Sequence, residues 1–189
     1  MARIRYQVAA SLDGYIAAPN GDHDWIVMDP EIDFGALFEQ FDTFVMGRRT
    51  FESAGAGSSA PGAKTYVFSR TLRAADHPHV TVIPEVSAAA VKVIRDQAEK
   101  DIWLFGGGAL FRSFLDAGLV DTVEVALMPV LLGGGVPLVP PGARAKLALT
   151  GHRLYKSGVA LLEYSVGAKR EKGSPAEKRR SSNTRRAAK

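Results

Sequence analysis

The chain has 189 residues, 46% of them hydrophobic, no cysteine and a formal net charge of +4. That length supports one full core and hardly two, and the lack of thiols excludes disulfides, thiolate nucleophiles and thiolate metal sites. The charge is uneven: residues 168–189 hold nine Lys or Arg against two Glu, a surplus of seven, which leaves residues 1–167 at a net −3.

The basic excess thus belongs to a tail and not to a face of the globule, so charge does not make the folded part a nucleic-acid binder. Polar and without one large apolar residue, the tail cannot offset its ordering entropy and is read as disordered, open at most to weak, salt-sensitive association with polyanions. No run approaches the roughly 18 apolar residues of a membrane span. The start, Met-Ala-Arg-Ile, enters a strand pattern with no apolar signal core, and the expectation is a cytoplasmic protein.

In chain order, Arg3–Ala10 reads as a first strand, with Ile4, Tyr6 and Val8 in period two. Asp13-Gly14 then marks a turn into an extended segment through Ala17; Asp13 either bonds its own backbone or sits in a loop over a pocket mouth. Asp29-Pro30 predicts an N-cap and first helical position, with Glu31 and Asp33 in the first turn. Phe34, Leu37, Phe38 and Phe41 recur as one apolar helix face. Glu31 or Asp33 could reach a substrate from there, or serve only the helix dipole.

Thr43–Met46 predicts a short strand, from which Gly47-Arg48-Arg49-Thr50 turns into a brief helix. Guanidinium forks beside helix-start amides suit phosphate oxygens, although a solvated Arg pair is the commoner arrangement. Lys64–Phe68 is a strand ending at Ser69-Arg70-Thr71; Val80–Ile83 is another; Ser87 caps a helix running to Glu99.

Residues 101–121, DIWLFGGGALFRSFLDAGLVD, hold the strongest signal. A buried strand, Ile102–Phe105, runs into Gly106-Gly107-Gly108 and then a helix with Leu110, Phe111, Phe114 and Leu115 on one stripe, stopped by Gly118. A helix that starts on glycines leaves its first amides bare and its positive dipole end open, an anion site made of backbone. A tight strand-to-helix turn that binds nothing is the other reading. Thr122–Met128 is a strand, Pro129–Pro137 a glycine-rich connection, and Leu147–Tyr155 with Val159–Val166 an antiparallel hairpin. Alternating strands and helices closed by a hairpin indicate a three-layer α/β/α domain on a mostly parallel mixed sheet.

Other chemistries find little support. His23, His77, His79 and His152 lack converging ligand spacing. There is no Gly-x-Ser-x-Gly elbow, no Lys-Ser or Lys-Thr behind the glycines, and no third glycine of a dinucleotide fingerprint. Backbone phosphate binding with arginines, but without nucleophile or metal, points to a nucleotide cofactor that brings its own reactivity.

Ser-Leu-Asp-Gly-Tyr-Ile-Ala at 11–17, Val-Met-Gly-Arg-Arg-Thr-Phe-Glu at 45–52, Phe-Ser-Arg at 68–70, Gly-Gly-Gly at 106–108 and Pro-Val-Leu-Leu-Gly-Gly-Gly at 129–135 together resemble the dihydrofolate-reductase-like superfamily. Within it, the chain resembles stand-alone proteins similar to the reductase (RibD C-terminal) domain of bacterial riboflavin biosynthesis. The resemblance spans residues 1–167, a single reductase domain ahead of the tail, and implies NADPH as hydride donor and a homodimer. It implies that Gly106, Gly107, Gly108, Ala109 and Leu110 hold the diphosphate. Gly47, Arg48, Arg49 and Thr50, with Ser69 and Arg70, hold the adenosine end and its 2′-phosphate, and Ala10 meets the nicotinamide amide. It also implies a cis Gly106–Gly107 peptide. Asp13 is the candidate catalytic residue, as polar anchor or proton relay, and Asp13, Trp25 and Glu31 are the substrate-side candidates. The expected reaction is hydride transfer to a small heterocycle, as in 5-amino-6-(5-phosphoribosylamino)uracil reduction or in a dihydrofolate reductase. A nucleotide-binding module without turnover and a tail-centred nucleic-acid or partner-binding role are the alternatives.

Overall fold

The computed structural model of the chain describes residues 1–54 and 62–167. Its elements are β1 (Ile4–Ser11), β2 (Tyr15–Ala17), α1 (Phe34–Phe38), β3 (Phe41–Gly47), α2 (Arg48–Ala54), β4 (Lys64–Phe68), β5 (Thr81–Ile83), α3 (Ala88–Gln97), β6 (Asp101–Gly106), α4 (Gly108–Asp116), β7 (Thr122–Met128), β8 (Val136–Pro137), β9 (Leu147–Leu154) and β10 (Ala160–Val166). The tail lies outside the described residues, as does most of the Gly/Ser/Ala loop before β4.

Runs such as Phe44-Val45-Met46 and Ile102-Trp103-Leu104 are apolar on both sides, so the strands that carry them need cover on both faces. They receive it in an eight-stranded sheet of order β5-β4-β3-β6-β1-β7-β10-β9. β5 through β7 are mutually parallel, whereas β10 runs antiparallel to both β7 and β9. Val91 and Ile94 of α3 and Phe111 and Phe114 of α4 pack with Ile4, Tyr6, Ile102 and Leu104 on one face. Phe51 of α2 and Leu37 and Phe38 of α1 pack with Phe44, Met46 and Trp103 on the other. The result is the expected three-layer α/β/α fold of the dihydrofolate-reductase-like kind.

Helix ends follow side-chain chemistry. Ser87 caps α3 by accepting the Ala90 amide at 3.2 Å. Gly118 (φ +70°) closes α4, with the Leu119 amide donating back to the Phe114 carbonyl at 2.9 Å.

Three expectations need correction. The first helix starts at Phe34 and not at Pro30, because Asp29 spends its carboxylate on the Glu31 amide (2.8 Å) and the Ser157 amide (3.3 Å). Asp33 is the true cap, accepting the Ala36 amide at 2.9 Å, and Phe41 belongs to β3. The 129–137 connection contains β8, which pairs with β2 in a small two-stranded ribbon. All peptide bonds of the described residues are trans, and Gly106 turns the chain with φ +143°.

Candidate active site

Because β1, β3, β4, β6 and β7 are parallel, their C-terminal ends share one edge of the sheet. The chain leaves β1 and β3 toward the β5 side and leaves β6 toward β7, so the ends of β3, β6 and β1 form a topological switch point, where open α/β sheets bind ligands. The ladder between β1 and β6 reaches Tyr6 opposite Leu104, whereas the β1–β7 ladder continues to Ser11 opposite Met128. The ends of β1 and β6 therefore part, with the Trp103 indole bonding the Gln7 carbonyl at 3.0 Å near the fork.

At this edge α4 begins on Gly108 with a side-chain-free cap, Gly107. The Gly107 amide donates to Thr50 Oγ1 at 3.2 Å, and the first helical bond runs from the Phe111 amide to the Gly107 carbonyl at 3.1 Å. The amides of Gly108, Ala109 and Leu110 meet no acceptor among the described residues, and a helix dipole favours an anion there.

The neighbouring junction is built the same way. Met46 is paired with Gly106, and α2 starts at Arg48, immediately after the end of β3. The Arg48 guanidinium bonds Glu52 Oε1 at 2.6 Å and Thr71 Oγ1 at 2.7 Å, tying α2 to the segment after β4. Ser69 Oγ accepts the amides of Thr71 (3.2 Å) and Leu72 (3.0 Å), which fixes that turn and leaves its proton available to a ligand. Arg49 and Arg70 are exposed. Gly47–Thr50, Ser69–Arg70 and Gly106–Leu110 are thus gathered on three adjacent strand ends, and buried Ala10 lies at the end of β1 opposite Leu127.

The three glycines do different work. A Cβ on Gly107 would sit 3.5 Å from Thr50 Oγ1, an ordinary contact, but one on Gly108 would fall 2.5 Å from the Pro137 carbonyl oxygen and 3.1 Å from that of Leu138. Gly108 is glycine because the ribbon of β2 and β8 passes across the start of α4.

Residues 2–161 match the RibD C-terminal domain family. The chain belongs to this family. It is 33% identical to the uncharacterized protein YyaP of Bacillus subtilis, the match covering 86% of this chain and 94% of that one. A Shewanella sp. PV-4 structure named for riboflavin biosynthesis superimposes with TM-score 0.75 at 25% identity, covering 89% of this chain and all of its own. The Thermotoga maritima deaminase/5-amino-6-(5-phosphoribosylamino)uracil reductase shares the fold, with TM-score 0.64 at 18% identity, and this chain spans 57% of its length.

In this RibD C-terminal domain, Asp13 is a clamp between loops. Its Oδ1 accepts the Ser11 hydroxyl at 2.6 Å and the Leu132 amide at 3.1 Å, and its Oδ2 accepts the Gly133 amide at 2.7 Å. The Ser11 hydroxyl first, and then these amides, hold its carboxyl below the ordinary value. Trp25 bonds the Asp22 carbonyl at 3.1 Å through its indole and packs with Met128, Tyr155 and Val159 beside the end of β7. Glu31 stands apart from the glycine corner, paired with Lys156 (3.1 Å) and Arg153 (3.7 Å) around the turn of the β9–β10 hairpin.

The sequence reading passes over two parts of the site. One is buried Ser11, which accepts the Tyr15 amide at 3.0 Å as well as donating to Asp13; the Ser-x-Asp spacing ahead of a glycine is the signal for it. The other is the Pro137–Leu138 backbone against Gly108, which has no local signature.

Proposed function

We propose that this chain is an NADPH-dependent reductase of a small heterocyclic substrate, a C=N or C=O compound of the aminopyrimidine kind. Membership of the RibD C-terminal family and the Thermotoga relative's named reductase activity support the substrate class. The observation that carries the cofactor is the row of three bare amides at the start of α4 beside a second strand–glycine–helix junction with two arginines.

These groups fit a reduced dinucleotide. The amides of Gly108, Ala109 and Leu110 suit the diphosphate. Arg48, Arg49, Thr50, Ser69 and Arg70 suit the adenosine end, where a 2′-phosphate dianion separates NADPH from NADH. The nicotinamide supplies a hydride when bound. The chain's part is to fix the ring against the Ala10 backbone, where the ends of β1 and β6 part, and to hold the acceptor carbon in line. Asp13 keeps Leu132 and Gly133 in place over the mouth; its ionised carboxylate accepts hydrogen bonds at neutral pH, so the proton comes from water. Trp25 serves as an aromatic wall beside the substrate. We place the protein in the cytoplasm as a homodimer, both by analogy with the family; no helix among the described residues is long and apolar enough to cross a membrane.

The test is a fluorescence titration with NADPH and NADH on the parent and on the double variant Arg48→Ala, Arg49→Ala. Tighter NADPH binding by the parent, abolished in the double variant, is the expected result. Equal affinities throughout would remove the cofactor assignment.

A further inference from the structure

One face of β1 is left half-covered in the middle of the sheet. Arg5, Gln7, Ala9 and Ser11 alternate onto the face that α1 covers, together with Trp103, the partner of Arg5 across the β1–β6 ladder. Cover on this face comes in two separate pieces. Leu37 and Phe38 pack on Phe44 and Trp103, whereas Trp25 and Ile32 pack with Ala9, Ala126 and Leu161 further along the sheet. Between the two, Gln7, Ala9, Phe105, Ala126 and Leu161 are all part-exposed, although β6, β1, β7 and β10 are interior strands of the eight. A cleft therefore opens along β1, beside the Ala10 backbone.

Its floor holds one anomalous group. Gln7 Oε1 is buried without a hydrogen-bond partner, and among the described residues it stands alone in this. The Gln7 main chain is fixed by the Trp103 indole, which donates to its carbonyl at 3.0 Å. A buried acceptor left unmade is costly and calls for an explanation. The last torsion of a glutamine turns broadly, so the carboxamide is able to meet a ligand with both an acceptor and a donor.

We infer that Gln7 reads the substrate: the cleft takes an uncharged flat ring whose adjoining N–H and C=O pair with the carboxamide, and it rejects a phosphorylated one. Such a lactam edge complements a primary amide whichever way the amide is turned. Phe105 and Trp25 on the two sides suit the faces of a ring. A phosphate finds no counter-charge among the described residues of the cleft. Arg5 is taken up by Glu124, Gln40 and Asp101, and Arg153 and Lys156 share Glu31. At the mouth stands the Asp13 carboxylate, ionised at neutral pH. Leu12 and Leu131 flank it, 64% and 69% exposed, drawn together where the Leu12 amide bonds the Val130 carbonyl at 2.9 Å. A carboxylate repels a dianion and leucines leave it unsolvated.

This inference rests on the reductase reading above and is tested by binding. The full chain, with and without saturating NADPH, is titrated calorimetrically with 5-amino-6-ribosylaminouracil, with its ribose phosphate ester, and with the form methylated at both ring nitrogens. The unphosphorylated, unmethylated ring should bind at least tenfold tighter than either of the others. Gln7→Met keeps the length of the side chain and removes the carboxamide. It should weaken binding of that ring about tenfold, the loss of one hydrogen bond, leave NADPH affinity unchanged and raise the Tm of the free chain, because an unpartnered buried oxygen is gone. A phosphorylated ligand that binds as tightly as the free ring overturns the inference. So does a Gln7→Met chain that binds the ring as the parent does, or that loses stability, which would make Gln7 a structural group. A parent that binds NADPH but none of the rings removes the cleft and keeps the cofactor. Ring binding by a parent that ignores NADPH removes the reductase reading alone.

Discussion

Replacing Gly108 by alanine tests whether the start of α4 is shaped by the ribbon lying across it. The added methyl would fall 2.5 Å from the Pro137 oxygen and 3.1 Å from the Leu138 oxygen, both main-chain atoms that cannot swing aside as a side-chain tip can. Relief requires the ribbon to retreat by about 1 Å, at the expense of the Leu138 amide bond to the Gly14 carbonyl (2.8 Å) and the Tyr6 hydroxyl bond to the Leu138 carbonyl (3.3 Å). Two such bonds are worth about 2 kcal/mol together, within the usual range for overpacking. Alanine's better helix propensity returns up to about 1 kcal/mol. The net loss should be about 1–2 kcal/mol, a fall in Tm of roughly 2–8 °C for a chain of this size. Gly107→Ala, whose methyl meets only Thr50 Oγ1 at 3.5 Å, should stay within about 0.5 kcal/mol of the parent. Differential scanning calorimetry of both variants decides the matter. A Gly108→Ala protein as stable as the parent, or a Gly107→Ala protein that loses more, would refute the packing account and return all three glycines to the ligand.

Asp13→Asn should speed hydrogen exchange at the Leu132 and Gly133 amides and raise KM for substrate more than it lowers kcat. Since Asp13's carboxyl lies below its ordinary value of 3.8 in the folded chain, the clamp is complete above that value and fails as pH drops through the lower folded one. Exchange at Gly133, corrected for its intrinsic rate, should therefore rise only below about pH 4. Arg5 and Glu124, 8% and 5% exposed, form a two-bond pair at 2.7 and 2.6 Å. Glu124→Leu leaves buried Arg5 with Gln40 (2.6 Å) and the more distant Asp101 (3.4 Å), so it should cost about 3 kcal/mol in urea unfolding, the low end for a broken buried pair. The double change with Arg5→Met should cost less, because no guanidinium is left buried short of partners. Ser87→Ala should cost about 1 kcal/mol through the lost α3 cap.

Much of the local structure of the candidate site was legible because its signals are local. A strand that ends in glycine and turns into a helix is written within ten residues, and the Gly106–Leu110 and Gly47–Thr50 junctions both form where their composition places them. Ser87 and Gly118 act as the caps their residue types suggest. Asp29 misled for an equally local reason. Asp-Pro is a good helix start, but the Ser157 amide, 128 residues away, engages the Asp29 carboxylate and draws the segment into a turn instead.

The sequence by itself determined most of the elements, the three-layer class and the types of group offered to a ligand, since periodicity, capping and backbone freedom depend on near neighbours. Only the tertiary structure decided which strand ends lie side by side, that Gly108 makes room for Pro137, that Asp13 clamps Leu132 and Gly133, and that Gln7 lies without a partner on the half-covered face of β1. Those outcomes depend on strand order and register, which come from summing many weak contacts between residues far apart in the chain, and no short stretch of sequence carries that sum.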